Sequence, residues 1–239
     1  MKRRKLLLIS VLLLLFIGCG DSYFMICSLN PFYIEKNITL ESQIEGSWSA
    51  KVARPIKDNN SSSDSEIWGL ADTTSTWTIS RAIRKEVVKN KKGVDSTTWK
   101  PEKYYHAKLS RAADSTSYEF KVVLFHVNET LYADFIPRNK EGIMKSKLAA
   151  NSFFEVHTLA RVILNNNQIK LSWLGSDCVK DMIEKKRVRV NYQWVPEAGK
   201  FILSASPDEL TGMIDRYASQ SRFIDWENQK AKLELNRIN

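Results

Sequence analysis

Short runs in which apolar and polar residues alternate recur along most of the chain. After Gly46, for example, Trp48, Ala50 and Val52 are separated by serine and lysine residues. Because successive side chains of a strand point to opposite faces, this two-residue period predicts strands with one buried face. Further runs of this kind lie at Thr76–Arg84, Tyr104–Arg111, Tyr118–Leu124, Leu131–Ile136, Phe153–Leu164, Gln168–Leu174, Arg187–Val195 and Lys200–Ser204.

Polar stretches between these runs predict the loops and turns. Pro55–Ser75 is rich in Asn, Ser and Asp, and Lys89–Lys100 is polar, so both are expected as loops. Asn165–Asn167 is expected to turn a hairpin, since asparagine tolerates the left-handed backbone of tight turns. In the run Thr76–Arg84, the buried face is expected to hold Trp77, Ile79 and Ile83.

Two segments show helical spacing instead. Asp177–Lys186 carries apolar residues at the spacing of one helical face. A second helix is expected after Ser206, where Ser206 can cap, Pro207 suits the first helical position and Glu209 completes a capping box. Its expected buried stripe consists of Leu210, Met213, Ile214 and Tyr217.

These elements together predict one mainly β domain over residues 44–239. About nine short strands, with two short amphipathic helices in the C-terminal part, favour an antiparallel barrel or sandwich over a parallel α/β sheet. The sequence shows no repeat period, and about 220 residues after the first segment are enough for one sizeable core.

The N-terminus has the pattern of an export signal. Basic residues 2–5 precede the apolar stretch Leu6–Ile17, which is shorter than the roughly 20 residues of a membrane-spanning helix. The junction Phe16–Cys19 resembles the lipobox of bacterial lipoproteins, with Phe16 where leucine is usual. The resemblance implies that residues 1–18 are removed and that Cys19 is acylated. An ordinary signal peptide or an uncleaved anchor would also place the domain outside the cytoplasm.

Residues 19–43 show no period and are expected to form a tether between the acyl chains and the domain. Gly20 stands where aspartate marks inner-membrane retention in some Gram-negative bacteria. We therefore expect a lipid-anchored protein of the cell envelope, in the outer membrane and facing the periplasm. Cys27 and Cys178 could form a disulfide there, although two cysteines carry no framework pattern.

The charge balance is modestly basic. The full chain has a net charge of +9, and without the four basic residues of the signal the charge is +5. The sequence shows no Lys and Arg cluster with interleaved aromatic residues, so no nucleic-acid partner is expected. The oligomeric state is left open.

Gly46-Ser47-Trp48, at the start of the first predicted strand, resembles the Gly-X-Trp start of lipocalins and related calycin barrels. The late arginine that stacks on this tryptophan in lipocalins is not located from the sequence. The resemblance implies an interior cavity for a small apolar ligand. The alternative is that the same side chains simply fill the core. The residues expected to line such a cavity are Trp48, Trp77, Tyr105, Phe120, Leu124 and Trp173.

Few residues point to catalysis or metal binding. The sequence contains neither a nucleophile elbow nor a phosphate-binding glycine loop, and His106, His126 and His157 lack metal-ligand spacing, so no cofactor, metal or enzymatic activity is expected. The strongest enzymatic alternative is a cluster of Glu155, His157 and Arg161 on one strand face. The first hypothesis is a lipid-anchored binding module for a small apolar ligand. The alternative is a structural or assembly protein that binds a partner protein or glycan.

Overall fold

The structure, a computed structural model, describes most of the chain from Met25 onwards. The predicted signal sequence, the predicted acylation site Cys19 and nearly all of the predicted loop Pro55–Ser75 lie outside the described residues. The described residues are 25–52, 75–89, 95–111, 117–138, 155–195, 200–218, 220, 223–229 and 231–238.

The described residues form eleven strands and two α-helices. Helix α1 (Ser176–Glu184) follows the eighth strand, and helix α2 (Pro207–Tyr217) follows the tenth. The strands are β1 (Cys27–Ser28), β2 (Gly46–Val52), β3 (Ser75–Lys89), β4 (Asp95–Arg111), β5 (Ser117–Val127), β6 (Thr130–Pro137), β7 (His157–Asn165), β8 (Gln168–Trp173), β9 (Tyr192–Val195), β10 (Lys200–Leu203) and β11 (Lys232–Arg237).

Eight of these strands close into an antiparallel barrel. Their order is β6-β5-β4-β3-β2-β11-β8-β7, and β6 pairs with β7 to complete the ring. Strands β1, β10 and β9 extend the sheet from β7, with β1 and β10 parallel. The predicted fold class, a mainly β antiparallel barrel or sandwich with two short helices in its C-terminal part, is confirmed, and of the two alternatives the barrel forms.

Two apolar cores explain the burial pattern. One fills the barrel, and the alternating residues of the predicted strands point into it. The second lies outside the barrel wall, where α1, α2 and residues 26–33 cover β5, β6 and β7. These strands are therefore buried on both faces, which is why Val123 and Phe125 are buried as well as Val122 and Leu124.

The predicted position of Ile83 on the buried face is wrong. The register of β3 against β4 shifts between Arg81 and Ile83. Such an irregularity changes which residues face inward. As a result Ala82 is buried at 1% exposure, whereas Ile83 is 60% exposed.

The prediction of a loop at Lys89–Lys100 is also wrong for its described part. Strand β3 continues to Lys89 and β4 begins at Asp95, with Val87 paired to Thr97. In this region β3 and β4 pair only with each other, because β4 meets β5 only from Tyr105 onwards. A two-stranded ribbon exposes both faces, so a polar sequence does not exclude it. Residues 82–89 and 95–103 are called the ribbon below.

Only the last part of the predicted strand Arg187–Val195 is a strand. Strand β9 begins at Tyr192 and pairs with β10 alone. The Tyr192 and Trp194 side chains are exposed, and both rings pack on Phe201 rather than in a core. An edge strand with a single partner has no second layer to cover its apolar face.

Residues 25–43, which the sequence places in a tether, belong to the folded structure. Strand β1 pairs with both β7 and β10, and the backbone N–H of Thr39 donates to the carbonyl of Leu124. Ile26 and Phe32 are fully buried in the outer core. Because burying such side chains is favourable by about 1.5–3 kcal/mol each, this segment packs on the barrel instead of hanging free. The tether interpretation is corrected for these residues.

The two predicted helices are confirmed. The capping box at α2 forms as expected, since the Glu209 N–H donates to Ser206 Oγ and the Ser206 N–H donates to the Glu209 carboxylate. Leu210, Met213 and Ile214 are buried, and Tyr217 is partly buried.

The predicted hairpin forms between β7 and β8, with Asn166 and Asn167 at the turn. Its expected left-handed backbone does not occur there. Among the described residues, the non-glycine positions with positive φ are Asn128 and Lys186. Asn128 turns β5 into β6 with a φ of 54°, so the conformational argument holds for that asparagine instead.

Candidate functional site

The six residues predicted to line a ligand cavity come together inside the barrel. All six are buried in its single inner core. Trp48 is opposite Arg237 in the β2–β11 register, near the end of the barrel where β2 begins, which we call the Arg237 end. Trp77 is the cross-strand neighbour of Trp48 on β3. Together with Trp173 it packs against Met25 on the side of the opposite end, which we call the Met25 end. The sequence therefore identified interior residues of one core.

Four aromatic rings form a connected group at the Met25 end. Trp77 stacks on Phe120 at 5.7 Å between centroids, Phe120 meets Phe135 edge to face, and Phe135 lies 5.3 Å from Trp173. The space that these rings share with Met25, Pro137 and Thr158 is about 10 Å³. That is room for roughly one water molecule. Three of the predicted lining residues, Trp77, Phe120 and Trp173, thus pack so closely here that no larger ligand fits among them.

Two of these rings carry buried donors without an acceptor. The indole N–H groups of Trp77 and Trp173 meet no hydrogen-bond partner among the described residues. By contrast, the indole of Trp48 donates to the Ile44 carbonyl at 3.0 Å. An unsatisfied buried donor costs about 1–3 kcal/mol. A water molecule or a ligand with an acceptor atom at this place would remove that cost.

The Arg237 end is closed by a stacked pair. The guanidinium of Arg237 lies over the Trp48 ring, with Cζ 4.3 Å from its centroid. The same group donates to the carbonyl oxygens of Gln43 and Glu45. The sequence analysis did not locate an arginine that stacks on Trp48. Arg237 belongs to β11, a strand that the sequence analysis did not predict.

A buried acid–imidazole pair lies on the outer face of the barrel. His157 Nδ1 is 2.8 Å from Asp134 Oδ2, and both side chains are almost fully buried. The same carboxylate oxygen accepts the backbone N–H of Phe32 at 3.3 Å. Burial raises the pKa of Asp134, and the hydrogen bond and charge of His157 oppose that rise. Burial, together with the charges of Asp134 and Glu155, raises the pKa of Tyr33 to about 12.

The hydroxyl group nearest to this pair in the strand register forms hydrogen bonds with the backbone. Ser28 lies opposite His157 in the β1–β7 register. Its hydroxyl donates to the Leu203 carbonyl and accepts the Asn30 N–H. That hydroxyl is therefore committed to backbone groups rather than prepared as a nucleophile. The pair ties the segment around Phe32 to the barrel wall.

The predicted cluster of Glu155, His157 and Arg161 does not form. Glu155 is exposed, and Arg161 lies 3.7 Å from Glu227 in a surface ion pair. The partner of His157 is Asp134, which sequence reasoning missed. A signal was present, because Asp134 is the one acid within the otherwise apolar strand β6.

The other histidines occupy the surface. His126 lies 3.9 Å from Glu41, and His106 packs edge to face on Tyr104. Within the described ranges, no three His, Cys, Asp or Glu side chains are grouped to hold a metal ion. Over the same ranges, neither α1 nor α2 has the length and apolar character needed to cross a membrane.

A second candidate site is the outer face of the ribbon. Ile83, Val87 and Trp99 are 60%, 56% and 64% exposed. The register pairs Ile83 with Pro101, Lys85 with Trp99 and Val87 with Thr97, so these six side chains share one face. The opposite face is polar and carries the ion pairs Arg84–Glu102 and Lys100–Glu86.

The fold and its sites define the class of molecule as a closed eight-stranded antiparallel barrel with a buried apolar core and a two-stranded ribbon that has one exposed apolar face. No model of a known protein family matches the chain, and neither the curated proteins nor the solved structures compared with it gave a match.

Proposed function

We propose that this protein is a lipid-anchored, non-enzymatic component of a bacterial cell envelope whose barrel docks onto another envelope component through the ribbon face. The anchor part of the proposal rests on the lipobox-like junction Phe16–Cys19 after an apolar stretch too short to span a bilayer. Acyl chains on one cysteine would hold the domain at the membrane surface.

One observation supports docking over ligand transport. The barrel interior leaves only about 10 Å³ beside the aromatic group, whereas three large apolar side chains of the ribbon face are more than half exposed. Pockets for small molecules are typically about 300–1,000 Å³. Exposed apolar residues that share one face are typical of interaction surfaces. The geometry thus favours the structural or assembly role.

The contact between Arg237 and Trp48 supports a lipocalin-like barrel as the scaffold. Gly46-Ser47-Trp48 opens β2, and the stacked guanidinium comes from β11, which pairs with β2. The Gly-X-Trp motif and the arginine stacked on its tryptophan thus meet at one end of an eight-stranded barrel. In this proposal the barrel is used as a rigid support.

A small apolar ligand is the second candidate. The indole N–H groups of Trp77 and Trp173 favour it. Among the described aromatic rings of the barrel interior, these two carry the buried donors that lack a hydrogen-bond acceptor. Such a ligand would carry a hydrogen-bond acceptor and would have to displace Met25. Native mass spectrometry of protein taken from its own membrane tests this, and a retained small molecule lost in Trp77→Phe would support this second candidate over docking.

Amide hydrogen exchange tests the docking proposal. The protein is compared in its native membrane and after purification in detergent. We expect slower exchange in the native membrane for ribbon peptides containing Val87 and Trp99, with no change for the turn at Asn166 and Asn167, which serves as the control. Equal exchange of the ribbon in both samples would contradict docking through this face.

A further inference from the structure

We infer that the partner of the ribbon face is the anionic bilayer that carries the acyl anchor, so that the ribbon lies in the lipid interface as a second attachment point. This inference rests on the proposed lipid anchor and on docking through the ribbon. It names the component that the ribbon contacts.

The chemistry of the ribbon face matches a lipid interface. Trp99 stands beside Lys85 in the register, with Ile83 and Val87 before and after that lysine on the same face. Tryptophan prefers the boundary between headgroups and acyl chains, because its ring is apolar and its N–H is polar. The ion pairs Arg84–Glu102 and Lys100–Glu86 occupy the reverse face, so the ribbon keeps its shape when the apolar face leaves water.

The charge of the ribbon favours an anionic surface. The ribbon residues 82–89 and 95–103 contain five Lys and Arg against three Asp and Glu, a net charge of +2, and the sequence from 81 to 103 as a whole has a net charge of +5. The whole chain after the predicted signal also has a net charge of +5, so the excess positive charge is concentrated in this segment of the sequence. An anionic bilayer attracts basic segments that lie near its surface. A second copy of this chain would bring two ribbons of the same positive charge together, with Lys85 on each apolar face, so self-association through the ribbon is disfavoured.

The position of the anchor makes the contact geometrically accessible. Cys19 is six positions before Met25, which is already packed against the barrel, so the anchor lies within about 20 Å of that residue. The ribbon begins at the opposite end, where Arg81 meets Glu45 and Glu102. Attachment at both ends would lay the barrel lengthwise on the membrane.

Fluorescence quenching by brominated lipids tests this directly. The full chain is reconstituted into vesicles of phosphatidylethanolamine and phosphatidylglycerol, and the quenched tryptophan emission is compared between variants. We expect Trp99→Phe to remove a quenched component. Trp194→Phe is the matched control, because Trp194 is another exposed tryptophan of an edge hairpin, and it should leave the quenching unchanged. Lys85→Glu should weaken the quenching, since it reverses the charge beside Trp99.

The outcomes separate this inference from the proposed function. If the chain does not float with the vesicles, the membrane anchor fails. If it floats but Trp99→Phe quenches like the wild type, the ribbon does not enter the lipid and the inference is overturned. Ribbon protection in native membranes without quenching of Trp99 in vesicles would overturn it in favour of a protein or glycan partner.

Discussion

The guanidinium of Arg237 lies between Trp48 and the carbonyl oxygens that precede β2. It stacks on the indole with Cζ 4.3 Å from the ring centroid and donates to Gln43 at 2.8 Å. Gly46 makes room for it, because a Cβ at this position would come within 2.8 Å of Arg237 Nη1. The backbone there also has a φ of +134°, which side chains rarely tolerate. Arg237 of β11, the last strand of the barrel in the sequence, thus covers the start of β2, the first strand of the barrel.

Replacing Gly46 should destabilise the barrel. Gly46→Ala strains the backbone and pushes Arg237 off the Trp48 ring, so we expect a loss of about 1–3 kcal/mol in the free energy of unfolding. Gly212→Ala is the matched control. Gly212 is exposed within α2 with open space around it, so alanine there should stabilise by up to about 1 kcal/mol. Urea unfolding measures both, and equal effects would contradict the closure described here.

Stability should depend on pH through Asp134. Burial raises its folded-state pKa above the ordinary value of 3.8, so the folded protein binds this proton more tightly than the unfolded chain does. The stabilisation of the folded protein by this tighter proton binding is fully present below pH 3.8. It is lost as pH rises through the raised pKa of Asp134. Asp134→Asn cannot ionise, so the stability of the wild type relative to this variant should fall as pH rises from about 4. A constant difference over that interval would show that burial does not govern this carboxyl.

Cys178 should react slowly with thiol reagents. Burial, reinforced by the charge of Asp181, raises its pKa to about 11. Since the thiolate is the reactive form, alkylation at pH 8 should be on the order of a hundred-fold slower than for an ordinary thiol. Asp181→Asn should speed it, because one of the charges raising the pKa is removed. Mass spectrometry of the modified peptides measures the rate, and a rate that levels off near pH 9 would contradict the raised pKa.

Replacement of Trp77 and of Trp99 should lower the free energy of unfolding by different amounts. Trp77 is fully buried in the barrel, so Trp77→Ala should lower the free energy of unfolding by about 3–5 kcal/mol. Trp99 is 64% exposed on the ribbon, so Trp99→Ala should change it by less than about 0.5 kcal/mol. Urea unfolding compares them, and a large loss for Trp99→Ala would mean that this residue supports the fold rather than a surface contact.

Much of the barrel could be predicted because alternation reports burial on one face. Trp48, Trp77, Tyr105 and Phe120 were predicted to point inward, and all are buried in one core. Alternation does not report burial where that relation breaks down. Ile83 follows a shift of register, and the ribbon has no buried face to produce a pattern.

The site was only partly predictable, because its contacts join residues distant in the chain. Arg237 reaches Trp48 across 189 positions of sequence, and β11 shows only Leu233 and Leu235 as an alternating signal. His157 was singled out, but its partner Asp134 is set by the β6–β7 pairing, which no local pattern reveals. The packed segment at Ile26 and Phe32 has no period, since single side chains anchor it.

The most direct test of the lipid-anchored envelope protein is the intact mass of the protein recovered from its native membrane, compared with the Cys19→Ala variant. We expect a chain that begins at Cys19 and carries acyl groups, and we expect both features to be lost in the variant. A full-length or unacylated mass for the wild type would contradict the anchor, and with it the placement of the ribbon at the bilayer.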